Sequence, residues 1–309
     1  MEKERIKSYV ASIINSGHEF GIKVYTIINS LNNAEIKEML IEDKLKNHLS
    51  DMIENELNRK LLCEDILIED SKNISEQRVN CLYDIRTSES YNPFSFLDNI
   101  DNNIDQYDVN EGKNITGFLF KINLNENCFW AFQQIYPVNK ISKKKSIPII
   151  SKDTVFELID KDIILLSSRI DLLVIKNHIV TDNIKLLQDK CGFDQFIRME
   201  ANLTLEKIIT KGLLSNPEML ANAIGQDKTT VAKKIMKAKN SPVFSIDNEE
   251  LFRSIKKHNR YKNLISFDND KIIINTKNDV ENFIKMLNDD FLKSELTQIE
   301  YDSETKTII

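Results

Sequence analysis

Residues 115–145, ITGFLFKINLNENCFWAFQQIYPVNKISKKK, constrain the fold of this chain more than any other stretch. They read as two strands joined by a polar turn. Ile115–Asn123 alternates imperfectly, with Phe118, Phe120 and Ile122 on one side and Leu119 and Lys121 on the other. Asn125, Glu126 and Asn127 supply turn chemistry, and Cys128–Tyr136 is aromatic and β-branched enough for a second strand. Apolar residues on both faces predict a hairpin at the centre of a sheet covered on both sides. Pro137 cannot donate to a ladder and ends the second strand, after which Lys143, Lys144 and Lys145 enter solvent together. Phe129, Trp130, Phe132 and Tyr136 have the chemistry to stack bases, but in a strand of this apolar density the expectation is core.

A chain of 309 residues can bury a sizeable core, as one large domain or two smaller ones. Its formal net charge of −6 excludes a polycation, so a nucleic-acid role requires a local basic patch against an acidic background. Cys63, Cys81, Cys128 and Cys191 are isolated, without CxxC or CxH spacing, which argues against a disulfide framework or structural zinc. The N-terminus MEKERIKSYV lacks the apolar core of a signal peptide. The longest apolar stretch, 163–175, is interrupted by Arg169 and Asp171 and is too short to span a bilayer. The expectation is a soluble intracellular protein that reaches a membrane only through a partner.

Along the chain, helical spacing runs from Glu2 to about Asn15, and Gly21–Ile28 reads as a strand. Asn32 or Asn33 caps an expected long helix from Ala34 to about Leu62, with Ile36, Leu40, Leu45, Leu49, Ile53 and Leu57 as its stripe. Residues 1–70 hold nine Lys/Arg against fourteen Asp/Glu. Short strands follow at 66–68 and 79–85. From about Asp98 to Asn114 the composition turns to Asp, Asn and Glu, without the spacing or Gly of an EF-hand. A domain boundary falls there, giving an acidic α/β region over 1–112 and an α+β domain over 113–309. Later strands are expected at 154–158, 162–166, 171–175 and 178–180, with Lys176-Asn177 as a tight turn between the last two. Helices follow at 184–189 and 203–214. The fold class is α+β: a mixed or antiparallel sheet, a long N-terminal helix and a C-terminal basic helical segment over 216–263.

That segment opens with PEMLANAIGQDKTTVAKKIMKAK, residues 217–239. Pro217 suits a first turn, Gly225 a helix end, and Asp227 a cap for a helix over Lys228–Lys239. Ala221, Gly225 and Val231 have helix-turn-helix spacing, which puts Lys228, Thr229, Thr230, Lys233, Lys234 and Lys237 on or near an exposed recognition-type face. Gln226 and Lys234 depart from that pattern, standing where apolar residues usually pack. Three readings stay open: base reading, backbone contact by the lysines, and a merely solvated face. Arg253, Lys256, Lys257, His258, Arg260 and Lys262 follow, so residues 226–263 hold ten Lys/Arg against four Asp/Glu, a local +6. Clustering of this kind neutralises phosphates without regard to base sequence. Strands at 264–267 and 271–275, a helix at 279–287 and an acidic tail complete the chain.

The four histidines are scattered, and no GxGxxG or GxxxxGK loop is present. A restriction-type nuclease needs an Asp followed by an acidic-x-Lys triplet to hold a metal. Asp171 with Val174-Ile175-Lys176 lacks the second carboxylate, although Asp162, Asp171 and Asp182 have the chemistry to converge. Asp171 reads better as a strand-end or capping carboxylate.

The order FLFKI, polar turn, WAFQQIYPV and lysine-rich loop, followed by IDLLVIKNHIVTDN, a helix and GFDQF, resembles the KwaB-like family. These proteins are the cytoplasmic component of the Kiwa anti-phage defence system. The likeness covers Ile115 to about Asn202. It implies an effector that binds duplex DNA with little sequence preference and blocks phage replication and late transcription. It also implies a KwaA-like membrane partner that holds the protein at the inner face of the membrane. The expectation is a non-catalytic homodimer or higher homo-oligomer without cofactor. Its DNA contacts would come from Lys228, Lys233, Lys234, Lys237, Lys239, Arg253, Lys256, Lys257, Arg260 and Lys262, with Lys143, Lys144 and Lys145; these follow from the charge count, not from a motif. The alternatives are a metal-dependent nuclease and a protein-interaction module docking a basic partner on the acidic N-terminal half.

Overall fold

A computed structural model describes residues 2–16, 20–76, 78–100, 104–108, 115–136, 140–141, 149–152, 155–158, 163–226, 228–258, 261–293 and 300–302. The chain divides into two compact units, Met1–Glu69 with Asn80–Cys191, and Asp70–Val79 with Gly192–Ile309. The division falls at Cys191, well after the acidic stretch at 98–114, because strands on either side of that stretch pair in one sheet. The boundary near residue 112 is corrected accordingly.

The first unit contains α1 (Glu2–Ile14), β1 (Gly21–Ile28), β2 (Glu35–Met39), α2 (Asp43–Leu57), β3 (Leu67–Asp70), β4 (Cys81–Arg86), β5 (Ile115–Leu124) and β6 (Asn127–Gln134). Two-stranded ribbons follow: β7 (Lys140–Ile141) pairs with β10 (Ile163–Ile164), and β8 (Ile149–Lys152) with β9 (Val155–Leu158). β11 (Leu172–Ile175), β12 (His178–Thr181) and α3 (Ile184–Lys190) complete it. The main sheet has the order β2-β1-β5-β6-β11-β12-β4-β3. The hairpin β5–β6 therefore lies third and fourth of eight strands, as its two apolar faces require.

Paired residues in neighbouring strands share a face. Val24, Phe120, Ala131, Leu173 and Val180 stand in register across five strands, on the face where Ile6, Val10, Ile13 and Ile14 of α1 and Leu49, Ile53 and Leu57 of α2 pack. The opposite face carries Tyr25, Leu119, Phe132 and Leu172, also buried. Phe94 meets Phe132 there at 6.4 Å between ring centres. Phe129, Trp130 and Phe132 are accordingly core, while Tyr136 is 40% exposed.

The expected helix from Ala34 is corrected. Leu31–Asn33 forms a short 3₁₀ turn, and residues 35–39 add to the free edge of β1 as β2 before α2 starts at Asp43. Leu40, assigned to the apolar stripe, is 68% exposed. A π-type turn over Asn58–Leu62 ends α2 and aims Lys60 at the Ile170 carbonyl, 2.7 Å away.

The second unit is helical: α4 (Phe193–Lys211), α5 (Pro217–Gly225), α6 (Thr230–Lys237), α7 (Asn248–Lys257), α8 (Tyr261–Leu264) and α9 (Lys277–Leu287). β13 (Ser266–Asp268) and β14 (Lys271–Ile273) form a hairpin whose turn residues Asn269 and Asp270 both have positive φ. β15 (Phe291–Lys293) pairs with β16 (Glu300–Asp302). α4 starts ten residues before the helix expected at 203, with left-handed glycines, Gly192 and Gly212, at its ends. Thr276 and Asp279 form a capping box on α9.

Gly117 lies under the Phe132 ring, where an added Cβ would come within 2.5 Å of Cε2 and 3.1 Å of the Gln133 carbonyl. Gly117→Ala is expected to lower stability by about 1–3 kcal/mol, the range for overpacking a filled core, read from the urea midpoint. Burial pushes the Cys191 thiol up to about 12, whereas Cys63 is exposed. Since the thiolate is the reactive form, a thiol reagent at neutral pH should label Cys63 in the native protein and Cys191 only after unfolding.

Candidate nucleic-acid interface

Within the second unit, α6 turns Ala232, Ile235 and Met236 inward and is contacted by α4, α5 and the 3₁₀ turn Ser71–Glu76. Its lysines meet acids. Lys233 is half-buried, and burial pulls its pKa down while the Asp194 carboxylate in the first turn of α4 acts in the opposite direction. Lys237 Nζ lies 4.0 Å from the buried Asp290 Oδ1, and Lys239 Nζ lies 2.6 Å from Glu200 Oε2. Lys234 is half-buried, and its carbonyl accepts a hydrogen bond from Asn288 Nδ2 at 3.3 Å. A helix with acids set against its cations packs as part of the unit's interior, unlike the projecting second helix of a helix-turn-helix. Thr229 is its N-terminal flanking residue and is buried, and Gln226 is exposed. The proposed cap Asp227 lies outside the described residues.

The cations that reach solvent sit elsewhere. Asp247 caps α7, accepting from the amide nitrogens of Glu249 and Glu250 at 2.8 and 3.5 Å. Leu251 and Ile255 anchor the helix, which leaves Arg253, Lys256 and Lys257, spaced i, i+3, i+4, on one exposed face. The Lys256 ammonium lies 4.8 Å over the Phe267 ring and 3.0 Å from Asp270 Oδ1. Phe267 in turn meets Phe252 edge-on at 5.6 Å, so the β13–β14 hairpin seats directly on α7. Lys262 on α8 is exposed, as is Lys228 ahead of α6. Lys271 on β14 is a further exposed cation, beyond the counted basic stretch; its signal was the strand alternation of 271–275. Arg260, Lys143, Lys144 and Lys145 lie outside the described residues. The structure thus brings Arg253, Lys256 and Lys257 together and sets Lys233, Lys237 and Lys239 against acids.

In the first unit, Asp171 is 1% exposed. Its carboxylate accepts from the Gln134 amide at 2.8 Å, Arg169 Nε at 3.0 Å and Asn183 Nδ2 at 3.2 Å. Three donors and full burial fit the strand-end reading. Asp182 pairs with Lys60 at 2.9 Å, and Asp162 lies outside the described residues. Among the described residues no group of three His, Cys, Asp or Glu side chains is placed to hold a metal ion. Among them, too, no helix is long and apolar enough to cross a membrane.

The family model described as Kiwa protein KwaB-like matches residues 112–297, which takes in the central hairpin and both α6 and α7. The chain is also 22% identical over 317 aligned residues to the Kiwa protein KwaB of Escherichia coli O55:H7 (strain RM12579 / EPEC), covering 99% of this chain and 98% of that protein. No solved structure matches.

The two sets of cations should respond differently to charge reversal. Lys237→Glu and Lys239→Glu each set like charges together in a partly desolvated place and are expected to cost about 1–3 kcal/mol. Arg253→Glu and Lys257→Glu should change stability by less than about 0.5 kcal/mol, as exposed substitutions do. Thermal unfolding of the four variants separates the two outcomes.

Proposed function

The chain belongs to the Kiwa protein KwaB-like family, and we propose on that premise that it is a non-catalytic effector of anti-phage defence that binds duplex DNA with little sequence preference. The observation that carries the reading is the exposed i, i+3, i+4 face of Arg253, Lys256 and Lys257 on α7, with Lys262 on the next helix. Exposed cations on a helix surface neutralise phosphates and release counterions without reading base edges, and Lys256 gives up only a solvent-exposed ion pair with Asp270 in doing so. The α6 lysines drop out of the contact set, because a cation engaged by Asp290 or Glu200 gains little by exchanging that partner for a phosphate.

A chain with net charge −6 meets DNA through one small patch against long-range repulsion, so a single copy binds weakly. Pairing of copies doubles the patch and raises affinity through effective concentration, which is why the proposal includes a homodimer or higher homo-oligomer. The remaining parts are a cytoplasmic location, recruitment to the membrane by a KwaA-like partner, and block of phage replication and late transcription. Bound, sequence-tolerant protein obstructs polymerases, which need the same duplex.

The test is duplex DNA binding across a salt series with magnesium present and the DNA recovered afterwards. Affinity should fall steeply with salt while the DNA stays intact. Removing two phosphate contacts with Arg253→Glu/Lys257→Glu should make the log–log salt slope shallower by about 2. Absence of binding at low salt defeats the reading, and cleaved DNA replaces it with a nuclease.

A further inference from the structure

The hairpin turn between β11 and β12 carries an oddity that no part of the DNA reading uses. Lys176 has φ +54°, a left-handed conformation that Gly or Asn adopts readily and that costs an ordinary side chain roughly 1 kcal/mol. The turn is tied down, with the Thr87 amide donating to the Asn177 carbonyl at 2.9 Å. The Lys176 ammonium consequently stands over the Tyr9 ring, 4.8 Å from its centre. Tyr9 itself is fixed to the β6 backbone, its hydroxyl donating to the Cys128 carbonyl at 3.0 Å and accepting from the Cys128 amide at 3.1 Å. Burial raises the Tyr9 pKa above its ordinary value, so the ring stays a neutral platform for the cation.

Beside Lys176 the next strand supplies His178. Its Nδ1 lies 2.8 Å from Asp84 Oδ1 and 3.1 Å from Oδ2, and since a carboxylate only accepts, Nδ1 carries the proton. That hydrogen bond orients the imidazole and leaves Nε2 as the nitrogen available to a ligand. Arg86 is the register partner of His178 on β4 and brings a second cation to the same sheet face as Asp84. From α1 comes Arg5, exposed and in no ion pair among the described residues. Arg5, Ile6, Tyr9, Ile175, Lys176, Asn177 and His178 line a concavity of about 210 Å³ inside the first unit.

We propose that this concavity is a binding site for a small phosphate monoester. Arg5 supplies a planar fork, Lys176 a point charge and Asn177 an amide donor to a phosphate's oxygens, while the Nε2 lone pair of His178 accepts from the hydroxyl of a singly protonated phosphate. The volume equals about seven waters at roughly 30 Å³ each, room for a phosphate with a modest substituent and none for a duplex. The same chemistry exists on a DNA backbone, but a concave pocket between a helix and a hairpin turn favours a free ligand over a rod. Three of the seven lining residues, Arg5, Ile6 and Tyr9, come from outside residues 112–297, so the site needs both the N-terminal helix and the family-matched hairpin.

The experiment is calorimetric titration of the full chain with inorganic phosphate and with adenosine monophosphate in chloride buffer, for wild type and for Arg5→Gln/Lys176→Asn. Asn accepts the left-handed backbone, so the variant should melt at or above the wild-type temperature. Expected are saturable binding to wild type and a loss of about tenfold or more in the variant, the worth of one charge-assisted hydrogen bond. Duplex DNA affinity should be the same in both proteins. No phosphate binding by wild type, or equal binding by the variant, overturns the proposal. A parallel loss of DNA affinity overturns it as well, by making the pocket part of the DNA surface. Failure of the DNA reading alone leaves the phosphate result standing.

Discussion

The first unit depends on one constraint: a hairpin whose two faces are both apolar must have something on each side. β5 and β6 meet it by lying third and fourth of eight strands. Once there, they dictate their neighbours. Val24 and Phe120 in register with Ala131, Leu173 and Val180 demand a helical cover, which α1 and α2 provide. The opposite row of Tyr25, Leu119, Phe132 and Leu172 demands another, and Phe94 packs on it. Gly117 marks how tight the arrangement is, for it leaves the Phe132 ring no room for even a methyl group above it.

Charge is handled differently in the two units. In the sheet unit the buried Asp171 is compensated by Arg169 and two neutral donors, a local solution to ending a strand inside the protein. In the helical unit three cations on α6 or just after it face acids distant in sequence: Lys233 with Asp194, Lys237 with Asp290, Lys239 with Glu200. Partly buried pairs of this kind hold helices in register at some cost in desolvation. Their consequence for function is subtraction. A local +6 by composition becomes a smaller exposed set centred on α7.

The chain belongs to the KwaB-like family, and its exposed cations centre on α7. Under the DNA-binding function proposed above, weak, sequence-tolerant contacts would become strong only when copies are gathered. A net-acidic chain with one modest basic face would meet that proposal, because avidity multiplies what a single patch cannot supply.

The sequence by itself determined the class and the centre: alternation and turn chemistry placed β5 and β6, Pro217 and Gly225 bounded α5, and Phe129, Trp130 and Phe132, though not Tyr136, read correctly as core. Local signals sufficed there because each element buries a face that its own periodicity encodes. Residues 34–39 went the other way. Their apolar spacing reads as helix, yet the open edge of β1 offered ladder hydrogen bonds that outweigh a weak helical preference, and α2 began only at Asp43. The basic site was legible as a count and not as a surface. Whether a lysine meets water or a carboxylate depends on partners up to fifty-three residues away, as from Lys237 to Asp290. Periodicity along one helix carries no record of such a partner, so only the tertiary structure could decide which cations remain free to meet a phosphate.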